Sequence, residues 1–190
     1  MRTVRNAAAL VVLALGFAMP AQAALRTGAR APDFRTQGAL DGKAFGFSLR
    51  EALRKGPVVL YFYPKAFTQG CTLEAHAFAD ATDDFKAAGA TVIGMSNDDL
   101  PTLQRFSTSE CRSKFAVAVA SPAVIRAYDV HLRLPPEMAA KAGADMAARS
   151  DRTSYVIAPN GRISMVWSNL DYREHVTRSL AAVRALRARH

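Results

Sequence analysis

Cysteine is scarce in this chain. Only Cys71 and Cys111 occur among 190 residues. There is no C-x-x-C pair, which removes the dithiol that most thiol–disulfide oxidoreductases use. Neither cysteine has a Cys or His partner at the spacing of a zinc site. An even count in an oxidising compartment points first to a disulfide. Acidic residues are also few, 16 against 25 Lys and Arg. A basic balance raises nucleic acid as a partner, but no basic stripe interleaved with aromatics is present. The arginines are scattered, with one cluster at Arg178, Arg184, Arg187 and Arg189, and read as a solvated basic face. Internal repeats, linkers and low-complexity tracts are missing, so one domain is the simplest organisation. No apolar run reaches the roughly 20 residues of a membrane span.

The longest such run, Ala7 to Met19, belongs to a processing segment. Arg2 and Arg5 give it a basic start, and Pro20 leads into Ala21-Gln22-Ala23, an A-x-A cleavage pattern. Cleavage is expected after Ala23, with export to a bacterial periplasm or beyond the cell. The mature chain, 24–190, then keeps 23 basic residues against 16 acidic ones, a net charge of +7. No stable membrane association is expected after cleavage. With half its residues hydrophobic, it is long enough for one well-filled core.

The mature chain alternates strand and helix signals. Two short segments around Asp41-Gly42 form a hairpin. Ser48 and Glu51 fit a capping box that opens a short helix to Lys55. Val58–Tyr63 is an apolar run of strand length. Helical spacing follows from Cys71 through Leu73, Ala77, Phe78, Ala81 and Phe85, to a stop at Gly89. Thr91–Met95 and Phe115–Ala120 read as further buried strands, with helices from Pro101 to Ser109 and from Pro122 to Tyr128. Residues 130–149 read as an excursion with a helix begun by Pro135-Pro136. Two β-runs flank Asn160-Gly161, a second hairpin. An amphipathic helix runs from Glu174 to the end. This order calls for a parallel core sheet with helices on both faces and an antiparallel edge.

The chemistry concentrates between Pro64 and Cys71. A cysteine at the first turn of a helix, behind a buried strand, faces unpaired N–H groups that favour a thiolate. Thr68 can bring a hydroxyl near the sulfur, able to donate to and accept from an O–H substrate. Pro64 has no N–H to offer and can screen the pocket. An arginine would complete the site by stabilising the thiolate and orienting an oxygen leaving group.

The string PKAFTQGC fits the P-x-x-x-T-x-x-C motif and resembles the peroxiredoxins. The wider stretch YFYPKAFTQGCTLE is similar to the PrxQ, or bacterioferritin comigratory protein, subfamily. RTSYVIAPNGRI, from Arg152, resembles the strand segment bearing that family's active-site arginine, and APDF and DGK look like its N-terminal hairpin. The resemblance runs from about Ala29 to Trp167. It implies an α/β, thioredoxin-like fold, a central mixed sheet flanked by helices with an N-terminal hairpin extension. It also implies reduction of hydrogen peroxide and organic hydroperoxides without a cofactor or metal. Cys71 would be peroxidatic, Thr68 would hydrogen-bond the peroxide, Arg152 would activate thiolate and peroxide, and Pro64 would screen them. The commonest PrxQ pattern has a resolving cysteine five residues after the peroxidatic one, where this chain has His76. Cys111 is then the candidate resolving residue, with an external thiol as the alternative. A thioredoxin-like or small-thiol reductant and a monomer or weak dimer are the implied partners.

Other readings compete. Cys71 alone could be structural, Glu74 could cap or charge the first turn of its helix or, as the PrxQ resemblance allows, support the site, and Met138 and Met146 read as packing residues. A thioredoxin-like oxidoreductase lacks its C-x-x-C here. A copper carrier built on Cys71 and His76 would have only two ligands.

Overall fold

The computed structural model describes residues 25–134, 137, 146 and 148–188. The proposed cleavage segment, Met138 and most of the helix expected after Pro135-Pro136 lie outside the described residues.

A single seven-stranded sheet organises the chain, in the order β2-β1-β5-β4-β3-β6-β7. β1 (Arg35–Leu40) and β2 (Lys43–Ser48) form the first hairpin. Its turn uses Asp41 and Gly42, both at positive φ, as a tight hairpin turn requires. β3 (Val58–Phe62) lies parallel to β4 (Thr91–Ser96), which lies parallel to β5 (Ala116–Val119). β6 (Thr153–Ile157) runs antiparallel to β3, and β7 (Ile163–Ser168) completes that edge. The N-terminal hairpin is joined to the same sheet through β1 and β5.

β3 is buried on both faces, and its side chains alternate between two cores. Val58, Leu60 and Phe62 face α1 (Leu49–Leu53) and α5 (Pro122–Ala127). Val59, Tyr61 and Tyr63 face the other side, where α2 (Gln69–Asp80), α3 (Thr82–Ala87), α4 (Leu100–Ser109) and α6 (His175–Arg187) pack. Tyr61 stacks on Phe78 of α2 with ring centroids 4.2 Å apart, and this contact seats α2 on the sheet. None of the helices among the described residues is long and apolar enough to cross a membrane.

Two local expectations are revised. The helix after Cys71 does not run unbroken to Gly89. It breaks at Ala81, where the Thr82 hydroxyl donates to the Phe78 carbonyl at 2.9 Å, a competing bond that bends helices. The capping box is half formed. Ser48 Oγ accepts from Glu51 N, but the Glu51 carboxylate takes Arg35 instead of reaching back. The ends of the excursion are pinned, with Leu132 N–H on Arg149 O and Asp151 N–H on Val130 O.

Candidate active site

Tyr63 ends the β3 ladder by donating its N–H to Met95 O. Pro64 follows, half-buried, and cannot extend that ladder. The loop from Pro64 to Thr68 is then fixed by a buried carboxylate. Asp98 Oδ2 accepts from Ala66 N at 2.7 Å and from Ser96 Oγ at 2.6 Å, while Oδ1 takes Arg149 at 2.6 Å. Ser150 Oγ adds a bond to Tyr63 O. Phe67 adopts φ +63, unfavourable for a bulky residue and common where surroundings enforce function. Thr68 is the N-cap of α2.

Cys71 therefore sits in the first turn of a twelve-residue helix, 2% exposed. Arg152 reaches it from the start of β6, with Nη2 3.5 Å from Sγ. Such a contact strengthens when the sulfur is negative. The guanidinium is held on its other sides: Nε donates to Leu170 O at 2.9 Å and Nη1 donates to Glu74 Oε2. A Cβ on Gly70 would stand 3.1 Å from Nη2, so the absence of a side chain there lets the guanidinium lie against the helix start.

Of the two readings of Glu74, its surroundings favour the one that places it beside the site. It is fully buried and faces Arg152. Burial pushes its carboxyl up to about 8, more than Arg152 pulls it down. Oε1 has no hydrogen-bond partner and lies 3.7 Å from His175 Nδ1. His175 is buried too, and burial pushes its imidazole down to about 4. Its Nδ1 meets Ser154 Oγ at 2.8 Å and its Nε2 meets Asn169 O at 2.9 Å. A chain of contacts thus runs from Cys71 through Arg152 and Glu74 to the start of α6.

The residues singled out from the sequence are only partly gathered. Cys71 and Arg152 meet, and Pro64 begins the loop that leads from the end of β3 to Cys71. The Thr68 hydroxyl, exposed, donates to Lys65 O at 2.9 Å instead of to the sulfur, leaving its lone pairs open to an incoming O–H. Cys111 is a free thiol at 0% exposure, just beyond α4. Burial, then the charge of Glu110, pushes it well above the usual thiol range. His76 occupies the position on α2 where a resolving cysteine was sought, and pairs with Glu110 at 2.9 Å. Arg112 pairs with Asp80 at 2.6 Å. Cys111 is therefore bracketed by two contacts to α2. Asp98, Ser150, Leu170 and His175 escaped the sequence reading. A buried His–Glu contact between α2 and α6 leaves no local pattern.

Comparison with known proteins follows the same lines. The AhpC/TSA family profile matches residues 27–166. A chloroplastic peroxiredoxin Q of rice (Oryza sativa subsp. japonica) is 29% identical over 167 residues, covering 84% of this chain and 67% of its own. Peroxiredoxin Bcp of Xanthomonas campestris is 29% identical over 128 residues, covering 67% of this chain and 76% of its own. The crystal structure of the peroxidoxin BcpB of Mycobacterium tuberculosis superposes with a TM-score of 0.72 at 27% identity, over 85% of this chain and 98% of that one.

Proposed function

Because the chain belongs to the AhpC/TSA family and is a thiol peroxidase, we propose that Cys71 is its peroxidatic residue and that Arg152, Thr68 and Pro64 build the site around it. One observation carries this reading: the only described arginine on a cysteine sulfur is Arg152, 3.5 Å from a thiol held at a helix start.

The thiolate of Cys71 attacks the terminal oxygen of the hydroperoxide. An S–O bond forms and the O–O bond breaks, with its electron pair leaving on the distal oxygen. That oxygen takes up the proton the thiol lost on ionising, so water or an alcohol departs and a sulfenic acid remains. Arg152 faces both the sulfur and the charge developing on the leaving oxygen, a preorganised cation where charge appears. Thr68 Oγ, its hydrogen spent on Lys65 O, accepts from the peroxide O–H. Pro64 presents no competing donor.

Cys111 then attacks the sulfenic sulfur, releasing water and closing a disulfide. A thioredoxin-type reductant returns both sulfurs to thiols by exchange. A disulfide needs Cα atoms about 4.4–6.8 Å apart, and Cys111 is wholly buried, so the loop beyond α4 opens in this step. The one-cysteine alternative uses a small external thiol. We further propose that residues 1–23 direct export, and that the working protein is a periplasmic monomer or weak dimer. The basic start and the A-x-A pattern support the export reading.

The test measures peroxide consumption with a dithiol reductant. Cys71→Ser is expected to be inactive; unchanged turnover would sink the assignment. Cys111→Ser is expected to stall after one turnover with thioredoxin. Normal thioredoxin-driven turnover, with no 71–111 linked peptide after oxidation of the wild type, establishes the one-cysteine cycle instead.

A further inference from the structure

Many of the chain's surface arginines are already engaged. Arg35, Arg112, Arg173 and Arg178 each lie on a carboxylate. The guanidiniums of Arg30 and Arg54 have no hydrogen bond or ion pair among the described residues. Both rim one cleft of about 510 Å3, together with Arg50. The floor of that cleft is apolar and includes Ala31, Leu49 and Leu53, all buried. Its walls are the lead-in segment 30–33, α1 and the turn that joins β6 to β7. Backbone hydrogen bonds hold these pieces together. Ala31 N–H donates to Gly161 O at 2.9 Å, and Leu49 N–H donates to Phe34 O at 3.2 Å. Arg30 lies along the turn, where a Cβ on Gly161 would stand 3.6 Å from its Nη1. The cleft is thus preformed, and its volume suits a small organic ligand. It opens at the start of β3, where Val58 pairs with Ile157. Cys71 lies beyond the other end of that strand, roughly 15 Å of extended chain away.

We propose that this cleft is a second binding site, for a small organic molecule with an apolar body and a carboxylate or phosphate head. The charge balance selects the head. Asp33, the cleft's one carboxylate, takes Arg50 at 2.8 Å. Arg30 and Arg54 are left to an incoming anion, and a guanidinium fork matches the paired oxygens of a carboxylate or phosphate. A cation would meet three guanidiniums against one carboxylate. The floor selects the body. Exposed arginines hold a bare anion weakly, because water screens the attraction. An apolar body seated on Leu49, Leu53 and Pro159 adds the burial of carbon that an inorganic ion lacks. The cleft shares no residue with Cys71, Thr68, Pro64 or Arg152, so this site stands whether or not Cys71 is the reacting thiol.

The probe is naphthyl phosphate, titrated into isotope-labelled full-length protein and followed by backbone amide NMR. Inorganic phosphate tests the head alone and naphthol tests the body alone. The amides of Ala31, Leu53 and Gly161 are expected to shift together and to saturate with one Kd. Each control is expected to bind at least about tenfold more weakly. Combining Arg30→Gln with Arg54→Gln removes both open forks and is expected to weaken naphthyl phosphate at least about tenfold. Both side chains are exposed, so the amide spectrum away from the cleft and the peroxide turnover should stay as in the wild type. Cys71→Ser should bind the probe as the wild type does, which keeps this outcome separate from the peroxidase assignment. Unchanged affinity in the double variant overturns the proposal. So does inorganic phosphate or naphthol binding as tightly as naphthyl phosphate, since head and body would then not act together. The absence of a saturable shift at the cleft, or shifts centred on the Pro64–Cys71 loop, overturns it as well.

Discussion

Replacing Arg152 by Lys removes the guanidinium fork while keeping one positive charge. Arg152 makes three separate contacts: Nη2 to Cys71 Sγ at 3.5 Å, Nε to Leu170 O at 2.9 Å, and Nη1 to Glu74 Oε2. An ammonium on a shorter fork-less stem can satisfy one of them, and the carboxyl of Glu74 is the better acceptor. The donor to the sulfur is then lost. A hydrogen bond to a charged group contributes about 1.5–3 kcal/mol, and a preorganised donor to developing charge about 2.7–4 kcal/mol. The expected loss in kcat/KM for hydroperoxide is therefore about 10-fold to 1000-fold. Stability should fall by less than the loss of a full buried ion pair. Stranding a buried carboxylate commonly costs about 3–5 kcal/mol, but a Glu74 carboxyl held near 8 takes up a proton at neutral pH instead of standing charged. What remains is the loss of two hydrogen bonds, about 1–3 kcal/mol. The assay is rapid-mixing peroxide consumption at saturating reductant, with denaturant unfolding run in parallel. Turnover within about threefold of wild type, in a folded Arg152→Lys protein, would refute the argument that this guanidinium drives the chemical step.

The pH dependence of stability follows from two groups. Glu74 is raised from 4.5 to about 8 on folding, so the folded state holds an extra proton across that window and stability falls as pH rises through it. His175 is lowered from 6.5 to about 4, so the unfolded state holds the extra proton there and stability rises with pH. The two oppose one another up to about pH 6.5, leaving a plateau, and above it Glu74 alone gives a decline approaching 1.4 kcal/mol per pH unit to about pH 8. Denaturant melts of Glu74→Gln should lose that decline; an unchanged slope would show that Glu74 is not its source. Asp98→Ala removes the acceptor of Ala66 N–H and of Ser96 Oγ and breaks the buried Arg149–Asp98 pair. It should cost about 3 kcal/mol of stability and lower peroxide reactivity by loosening the Pro64–Thr68 loop, as unfolding and turnover measurements would register. A loss below about 0.5 kcal/mol would mean that the loop is held by other contacts.

What could be read from the chain was mostly what lies close along it. Pro64, Thr68 and Cys71 share one loop and one helix start, and the strand before them is a plain apolar run. Both hairpins announced themselves through Asp41-Gly42 and Asn160-Gly161. Arg152 was reachable only through family resemblance, because nothing local distinguishes it from the chain's other arginines. Glu74 was visible with its role left open, since a glutamate near a helix start looks alike whether it faces water or a buried guanidinium. His175 and Asp98 were silent for a related reason. Their importance comes from partners on other elements, α2 for one and the Pro64–Thr68 loop for the other. The break at Ala81 turns on a single hydroxyl, Thr82, choosing the carbonyl of Phe78 over solvent.

The bracket around Cys111 has a consequence for timing. Arg112 and Ser113 both take left-handed backbone angles, φ 49 and 56, a conformation that costs residues other than glycine about 1–3 kcal/mol each. The restraints on this loop are the His76–Glu110 hydrogen bond and the partly exposed Asp80–Arg112 ion pair, and an exposed ion pair weakens as ionic strength rises. In a two-cysteine cycle the sulfenic acid on Cys71 waits for that loop. Its lifetime then becomes a property of the surrounding salt as well as of the protein. A long wait in dilute medium exposes the sulfur to a second peroxide and irreversible oxidation, whereas a saline one shortens the interval and preserves the catalyst.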